Sequence, residues 1–208
     1  MIYEPREDSF LLQRQVKKFA KGIVLDMGTG SGIQAKTASF KAKQVVALDL
    51  DKDTIKHCKK TYVSEKNIHF FNSDLFEIFH DHFFFYEDGK LEVYEKRRVE
   101  DSEKRKEFVE KQIKFDLIIF NPPYLPQTGR KLDIISEGGE KGYEILEKFF
   151  DKVPIFLKED GTVLIVFSSL TNRKKVNEII EKNGFTFEQL DKKSLFFEEL
   201  YVYSVFRE

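Results

Sequence analysis

Asn121-Pro122-Pro123-Tyr124 follows directly on the apolar run Phe115-Asp116-Leu117-Ile118-Ile119-Phe120, so a side-chain amide, two prolines and a phenol meet where a buried strand ends. Two successive prolines fix the backbone and remove two N–H donors, which leaves carbonyl oxygens facing whatever sits there. An amide or exocyclic amino nitrogen is planar, carries two hydrogens and delocalises its lone pair, so it is a poor nucleophile. Accepting one hydrogen on the Asn121 side-chain oxygen and the other on the Pro122 carbonyl would aim that lone pair at an electrophilic methyl group. Tyr124 is expected to stack on the flat group. The charged product nitrogen is acidic and sheds its proton to water, so no strong general base is needed. Catalysis of this kind is positional, and a displacement of about 1 Å costs on the order of a hundredfold.

Upstream, Asp26-Met27-Gly28-Thr29-Gly30-Ser31-Gly32 lies where a strand gives way to a helix, a place where bare backbone can approach a ligand. By itself this is an ordinary glycine turn or a dinucleotide loop. Ile33 occupies the third glycine position of the G-x-G-x-x-G pattern, and no Gly-Lys-Ser/Thr follows, which excludes a P-loop. Asp26 puts a carboxylate at the mouth of the loop, where it would repel a pyrophosphate and suit a cation such as the α-ammonium of a methionine moiety.

Asp49 closes the next strand in Ala47-Leu48-Asp49-Leu50-Asp51, where a carboxylate can accept both hydroxyl hydrogens of a ribose. Asp51, past the strand end, reads as a helix N-cap. In Ser73-Asp74-Leu75, Asp74 is placed to accept from an adenine amino group and Leu75 to pack on the ring, although Asp74 serves equally well as a cap. His57-Cys58 and His80-Asp81-His82 lack partners at zinc-ligand spacing, so no metal site is expected.

These residues need a scaffold that brings several strand ends together. The chain supplies alternating strand and helix patterns, which predict an α/β fold: a doubly wound, seven-stranded, mostly parallel sheet with an antiparallel last strand. A helix is predicted over about Asp8–Lys21, capped by Asp8 or Ser9. Strands follow at Ile23–Met27, Gln44–Leu50, Asn67–Asn72, Phe115–Phe120 and Gly161–Phe167, with Phe185–Leu190 and Leu200–Phe206 as an antiparallel pair. Helices are predicted after the glycines to about Phe40, over Asp51–Ser64, over about Glu140–Leu157 with a kink or break at Pro154, and over Asn172–Lys182 with Asn183-Gly184 as its C-cap. The stretch His80–Lys114 departs from this rhythm. Its Phe83-Phe84-Phe85-Tyr86 run and Glu87-Asp88-Gly89-Lys90 turn predict a hairpin, and the charged run after it a solvated helix, together a surface insertion in one domain spanning 1–208.

Bulk composition bounds the partners. Apolar residues make up 41% and charged residues 34%, a globular balance, and with 22 Phe and no Trp the core must be packed largely by phenylalanine. The net charge of -1 gives no general attraction for a polyanion. Arg97-Arg98 and Lys104-Arg105-Lys106 are cancelled by Glu95, Glu100, Asp101, Glu103 and Glu107. Cys58 is the only cysteine, so no intramolecular disulfide can form. With neither a signal-like start nor a membrane span, a cytoplasmic protein is expected.

The glycine loop, the acidic strand ends and Asn-Pro-Pro-Tyr, in this order, resemble the class I S-adenosylmethionine-dependent methyltransferases. Tyr3-Glu4-Pro5-Arg6-Glu7-Asp8-Ser9-Phe10-Leu11-Leu12 is similar to the Tyr-x-Pro-x-Glu-Asp-Thr/Ser-Phe-Leu-Leu opening of the HemK-like release-factor glutamine methyltransferases of the archaeal and eukaryotic type, as is Gly138-Gly139-Glu140-Lys141-Gly142 to their later Gly-Gly segment. The resemblance implies that Ser9, Asp26, Gly28, Gly30, Gly32, Asp49, Asp74, Leu75 and Asn121 line an S-adenosylmethionine site, with Asn121, Pro122, Pro123 and Tyr124 as the catalytic segment. It implies as substrate the glutamine of a Gly-Gly-Gln loop in a translation termination (release) factor. It also implies a small zinc-binding activator subunit pairing along the third strand, which as an edge would carry apolar side chains needing cover. This chain lacks the Trp that often precedes the family's Gly-Gly segment, and its 80–114 stretch is longer than the usual connection. Two other functions use similar parts: a nucleic-acid adenine or guanine amino methyltransferase, and a non-catalytic S-adenosylmethionine-binding subunit. The first needs a basic channel and the second has no need of Asn-Pro-Pro-Tyr. A nicotinamide dehydrogenase is disfavoured by Asp26 and Ile33.

Overall fold

A computed structural model describes residues 3–124 and 141–208. In chain order the elements are α1 (Glu7–Phe19), β1 (Ile23–Met27), α2 (Ile33–Ser39), β2 (Gln44–Asp49), α3 (Lys52–Thr61), β3 (Ile68–Asn72), α4 (Ile78–Asp81), β4 (His82–Glu87), β5 (Lys90–Glu95), α5 (Ser102–Glu110), β6 (Phe115–Phe120), α6 (Glu144–Phe156), β7 (Leu157–Ser168), α7 (Arg173–Lys182), β8 (Thr186–Ser194) and β9 (Glu199–Phe206). Seven strands form one sheet in the order β3-β2-β1-β6-β7-β9-β8. β9 alone runs against its neighbours, antiparallel to both β7 and β8.

The central strands are near-continuous apolar runs because helices cover both faces of the sheet. Alternation within each strand assigns the faces: Leu25, Val46, Leu48, Ile118 and Phe120 join the core under α6 and α7, while Val24, Val45, Ala47, Leu117 and Ile119 join the core under α1, α2 and α3. The first of these cores is phenylalanine-rich, as composition requires. Phe76 stacks on Phe156 with ring centres 4.9 Å apart, and Phe79, Phe120 and Phe149 surround them.

Local details differ from expectation where tertiary contacts intervene. Neither Asp8 nor Ser9 caps α1: the helix begins at Glu7 after an uncapped Arg6, and both residues are buried within its first turn. Pro154 does not break α6. It falls in the last turn, where only one carbonyl loses its donor, and the helix ends two residues later. Asn172 caps α7 through Lys175 N–H, and Gly184 ends it at φ +78°.

The 80–114 stretch contains the expected hairpin, β4–β5, turning on Asp88 and Gly89 at φ +49° and +80°, the two left-handed positions a tight hairpin turn demands. Its aromatic run is buried on both faces. Phe83 and Phe85 pack with Val99 and Phe108 of the following helical segment, while Phe84 points into the main core. Phe71 of the terminal strand β3 meets Phe84 edge-on with ring centres 5.3 Å apart, and Phe70 lies against Tyr62. Ile68 and Phe70 of β3 are thus covered inside this chain, while Phe71 stays half-buried. The outer backbone edge of β3 pairs with no strand among the described residues. Among those residues, too, no helix is long and apolar enough to cross a membrane.

Because Phe84 anchors the hairpin in the main core, Phe84→Ala should cost about 3–5 kcal/mol in denaturant unfolding. Val109→Ala, at an exposed site on α5, should change stability by less than about 0.5 kcal/mol.

Candidate active site

The chain leaves β1 for β2 and β3 on one side, then crosses to β6 on the other, so a crevice opens between the carboxyl ends of β1 and β6. Register places the strand ends level: Met27 beside Leu48 and Phe120, and Asp49 beside Asn72. The segments that follow, Gly28–Gly32, Leu50–Asp51, Ser73–Leu75 and Asn121–Tyr124, therefore share one rim around a cavity of about 960 Å³. That volume is at the upper end of small-molecule sites and has room for more than one ligand group. Ser9, Asp26, Gly28, Gly30, Asp49, Asp74, Leu75 and all four residues of Asn121–Tyr124 lie on its wall; Gly32 does not. A smaller cavity of about 520 Å³ lies between β5 and α5 under mixed charges and shares no residue with the first.

Gly32 works behind the wall. It sits at φ +79°, and a Cβ there would come within 2.4 Å of the Tyr62 ring. Two α3-side groups hold the loop in place: Cys58 Sγ donates to Gly30 O at 3.3 Å, and Tyr62 OH donates to Ser31 O at 3.0 Å. Burial pushes the Cys58 thiol up to about 12, so it remains a neutral donor.

Three N–H groups of the glycine loop, and one from the first turn of α2, are already committed. Thr29 N–H donates to Leu48 O, Gly30 N–H to Asp49 Oδ2, Gly32 N–H to Thr29 O, and Ala35 N–H to Asp26 Oδ2. A phosphate cradle needs such groups free, so this loop is built to present backbone surface and carboxylates instead. Asp26 lies deeper than a mouth position: it is buried, and its Oδ2 also accepts from Thr29 Oγ1 at 2.6 Å. Burial pushes its carboxyl up to about 7. Asp49 is half-buried and accepts from Gly30 N–H and Asp51 N–H at 2.9 Å each, and burial raises its carboxyl as well. A carboxylate has about four acceptor positions, so both oxygens keep capacity for hydroxyl donors.

Asp51 caps α3 through Asp53 N–H, as its position implied. Asp74 caps no helix: α4 begins after Glu77, and it is Ser73 Oγ that accepts from Ile78 N–H at 3.0 Å and donates to Leu75 O at 2.9 Å. Asp74 is exposed on the cavity rim. Leu75 stands at φ +42°, a left-handed conformation that costs of order 1–3 kcal/mol in a branched residue and is held here on the cavity wall.

Asp8 is the residue that sequence reasoning passed over. It is 3% exposed, and its Oδ2 accepts from Tyr3 OH at 2.7 Å, Asn121 Nδ2 at 3.2 Å and Tyr124 OH at 3.2 Å, while Ser9 N–H and Oγ go to Oδ1. A carboxylate only accepts, so it selects the nitrogen of the Asn121 amide and fixes which way the group is turned. Asn121 Oδ1 is left buried without a hydrogen-bond partner. Tyr124 is held at both ends, its hydroxyl by Asp8 and its carbonyl by Thr171 Oγ1 at 2.9 Å. Burial raises the Tyr124 and Tyr3 phenols far above their ordinary range, so neither serves as a base. Gln34 was also missed: its Nε2 donates to Ser9 O at 2.8 Å, and its Oε1 is a second buried oxygen without a partner, on a residue lining the same cavity. Unmet buried acceptors on a cavity wall are the mark of a site awaiting a donor. The only sequence signal for either residue was the Glu7-Asp8-Ser9 segment of the opening motif. Among the described residues no group of three or more His, Cys, Asp or Glu could hold a metal ion. Gly138, Gly139 and Glu140 lie outside the described residues.

A family model described as Eco57I restriction-modification methylase matches residues 42–199. A Methanocaldococcus jannaschii protein carrying the provisional name protein N5-glutamine methyltransferase is 32% identical over 99% of this chain and 92% of its own length. This chain belongs to the protein N5-glutamine methyltransferase family. The catalytic subunit mtq2 of the eRF1 methyltransferase from Schizosaccharomyces pombe is 23% identical to this methyltransferase, over 99% of the chain and 89% of that protein. In structure the methyltransferase is similar to E. cuniculi Mtq2, solved in its complex with Trm112, with a TM-score of 0.67 and 21% identity over 100% and 99% of the two chains. The shared fold is the class I methyltransferase sheet described above.

Asp26 makes the stability of the ligand-free methyltransferase depend on pH. With a folded value of about 7 against about 3.9 unfolded, the folded chain holds a proton there that the unfolded chain does not. The contribution is complete below about pH 4 and is lost as pH rises through about 7, on the order of 4 kcal/mol in all. Asp26→Asn should remove that slope, read as a smaller difference in urea-unfolding free energy between pH 5 and pH 8 than the parent shows.

Proposed function

We propose that this methyltransferase moves a methyl group from S-adenosylmethionine onto the side-chain nitrogen of a glutamine in the Gly-Gly-Gln loop of a translation termination factor. The observation that carries the chemistry is the Asn121 amide, clamped by Asp8 through its nitrogen while its buried oxygen is left without a partner. Such an oxygen takes one hydrogen of a planar amide, and the Pro122 carbonyl takes the other. That fixes the nitrogen and turns its lone pair toward the donor, the positional term that such a weak nucleophile requires. Bound S-adenosylmethionine supplies the electrophilic methyl on a sulfonium. The acceptor carboxylates, and the N–H groups of Thr29, Gly30 and Gly32 already spent inside the protein, suit a cationic, hydroxyl-bearing cofactor. Asp49 serves the ribose hydroxyls, Asp74 and Leu75 the adenine, Asp26 and Gln34 Oε1 the ammonium end, with Ser9 and the glycines as wall. Asp8 is a positioning residue that acts through Asn121 and Tyr124.

The glutamine acceptor is supported by the relatives' names, one of them an eRF1 methyltransferase. The work is assigned to the cytoplasm, where termination factors act. A small activator subunit pairing along the outer edge of β3 is supported by that edge pairing with no strand among the described residues and by the partnered state of the structural neighbour. A nucleic-acid exocyclic amine is the second reading, favoured by the restriction-methylase description of the matching family model. The net charge of -1 opposes it.

A transfer assay with labelled cofactor, offering a Gly-Gly-Gln peptide, the full-length termination factor and oligonucleotides side by side, separates the two. Label on the oligonucleotides alone would overturn the glutamine assignment. Asn121→Ala should abolish transfer while cofactor affinity measured by calorimetry stays within a few-fold. Asp49→Ala should weaken cofactor binding about 10- to 100-fold, the loss of one charge-assisted hydrogen bond of roughly 1.5–3 kcal/mol. Asp8→Ala should lower turnover on the order of a hundredfold because the Asn121 amide is then free to turn.

A further inference from the structure

Two phenylalanines stand in water beside the cavity. Phe196 and Phe197 are 92% and 86% exposed, on the turn between β8 and β9, with their rings 4.5 Å apart and edge-to-face. The fold does not need them there, since a turn of this kind is served by small polar residues, and leaving two large apolar side chains in water forgoes their burial. Single exposed apolar residues are ordinary surface. This pair differs in being assembled and held. Leu195 N–H closes the turn on Glu198 O at 2.8 Å, Glu199 N–H donates to Ser169 Oγ at 3.0 Å, and Ser168 Oγ donates to Glu198.

The base of the same turn belongs to the candidate site: Leu195 and Glu198 line the cavity together with Asn121 and Tyr124. We propose that Phe196 and Phe197 form the docking contact for the methyl-acceptor protein, packing against apolar surface next to its modified loop while the glutamine side chain enters the cavity. This rests on the glutamine assignment above. The occupant follows from geometry, because the residues on either side of the pair line the cavity that receives the acceptor side chain, so whatever covers the pair lies beside that cavity. A second copy of this chain held there would obstruct its own substrate.

The test uses the full-length termination factor as acceptor. The double variant Phe196→Ala/Phe197→Ala changes only solvent-exposed side chains, so its unfolding midpoint and its cofactor affinity should match the parent. Its KM for the factor should rise at least tenfold with kcat within twofold, and Phe196→Leu/Phe197→Leu should recover most of that rise. Since the chain has no Trp, Phe197→Trp adds one reporter. Relative to parent plus factor, its emission should shift to the blue on adding the factor and stay unchanged on adding S-adenosylhomocysteine alone.

An unchanged KM in the double alanine variant, or a fall in kcat at constant KM, would overturn the docking role while the glutamine assignment stands. So would a parent that is a dimer and dissociates on the double substitution, since the pair would then join copies. A parent that leaves the factor unmethylated, both alone and with the small activator subunit proposed at β3 added, would overturn the glutamine assignment and this inference with it.

Discussion

A single buried carboxylate, Asp8, ties the first helix of the chain to the segment that ends its sixth strand. It accepts from Asn121 and Tyr124 at once, and from Tyr3 and Ser9 on its own side. Without an acceptor-only group at that point, nothing would distinguish the nitrogen from the oxygen of the Asn121 amide, and a side chain free to turn presents donor and acceptor in alternation. The two prolines fix the backbone, but orientation of the amide is a tertiary matter. It depends on the first turn of α1 standing at the strand ends, and α1 is held there because Leu11, Leu12 and Val16 are buried against one face of the sheet.

The same logic governs the cofactor side. The glycine loop spends N–H groups on Leu48, Thr29 and Asp49 and the Thr29 hydroxyl on Asp26, and α3 holds it from behind through Cys58 and Tyr62. A loop held in this way has fewer donors to offer. What it offers the cavity is bare backbone and carboxylates, the complement of a ligand rich in hydrogen-bond donors and positive charge. Removing Asp26 and Asp49 from water has a cost, visible as the upward push on both carboxyls. Regions where burial opposes ionisation are commonly those where function has been placed ahead of stability.

The hairpin and helix between β3 and β6 show how an elaboration is joined to an existing core. Four consecutive aromatics cannot all face one side of a strand, and here the two sides are divided between partners. Phe83 and Phe85 build a small cluster with Phe108, and Phe84 enters the main core beside Phe79 and Phe71. The segment thereby covers side chains of β3 without pairing with its backbone.

Much of this was legible in the order of residues. Parallel strands buried on both faces declare themselves as apolar runs, so the sheet, the antiparallel β9, the hairpin at Asp88-Gly89 and the cap at Asp51 followed from local pattern and turn chemistry. The rim residues were legible for the same reason, since each directly follows a strand and register alone brings the strand ends level. What local pattern could not reveal were roles set by distance in sequence. Asp8 read as a helix cap because its partners lie 113 and 116 positions away. Gly32 read as a wall residue because the Tyr62 ring that requires it to be glycine comes from another helix. Ser73 rather than Asp74 took the Ile78 N–H, and Gln34 acquired its unpartnered oxygen, only once neighbouring segments had been packed. Hydrogen-bond partners and steric limits between remote segments exist only after the chain has collapsed around them, and that is what the tertiary structure decided.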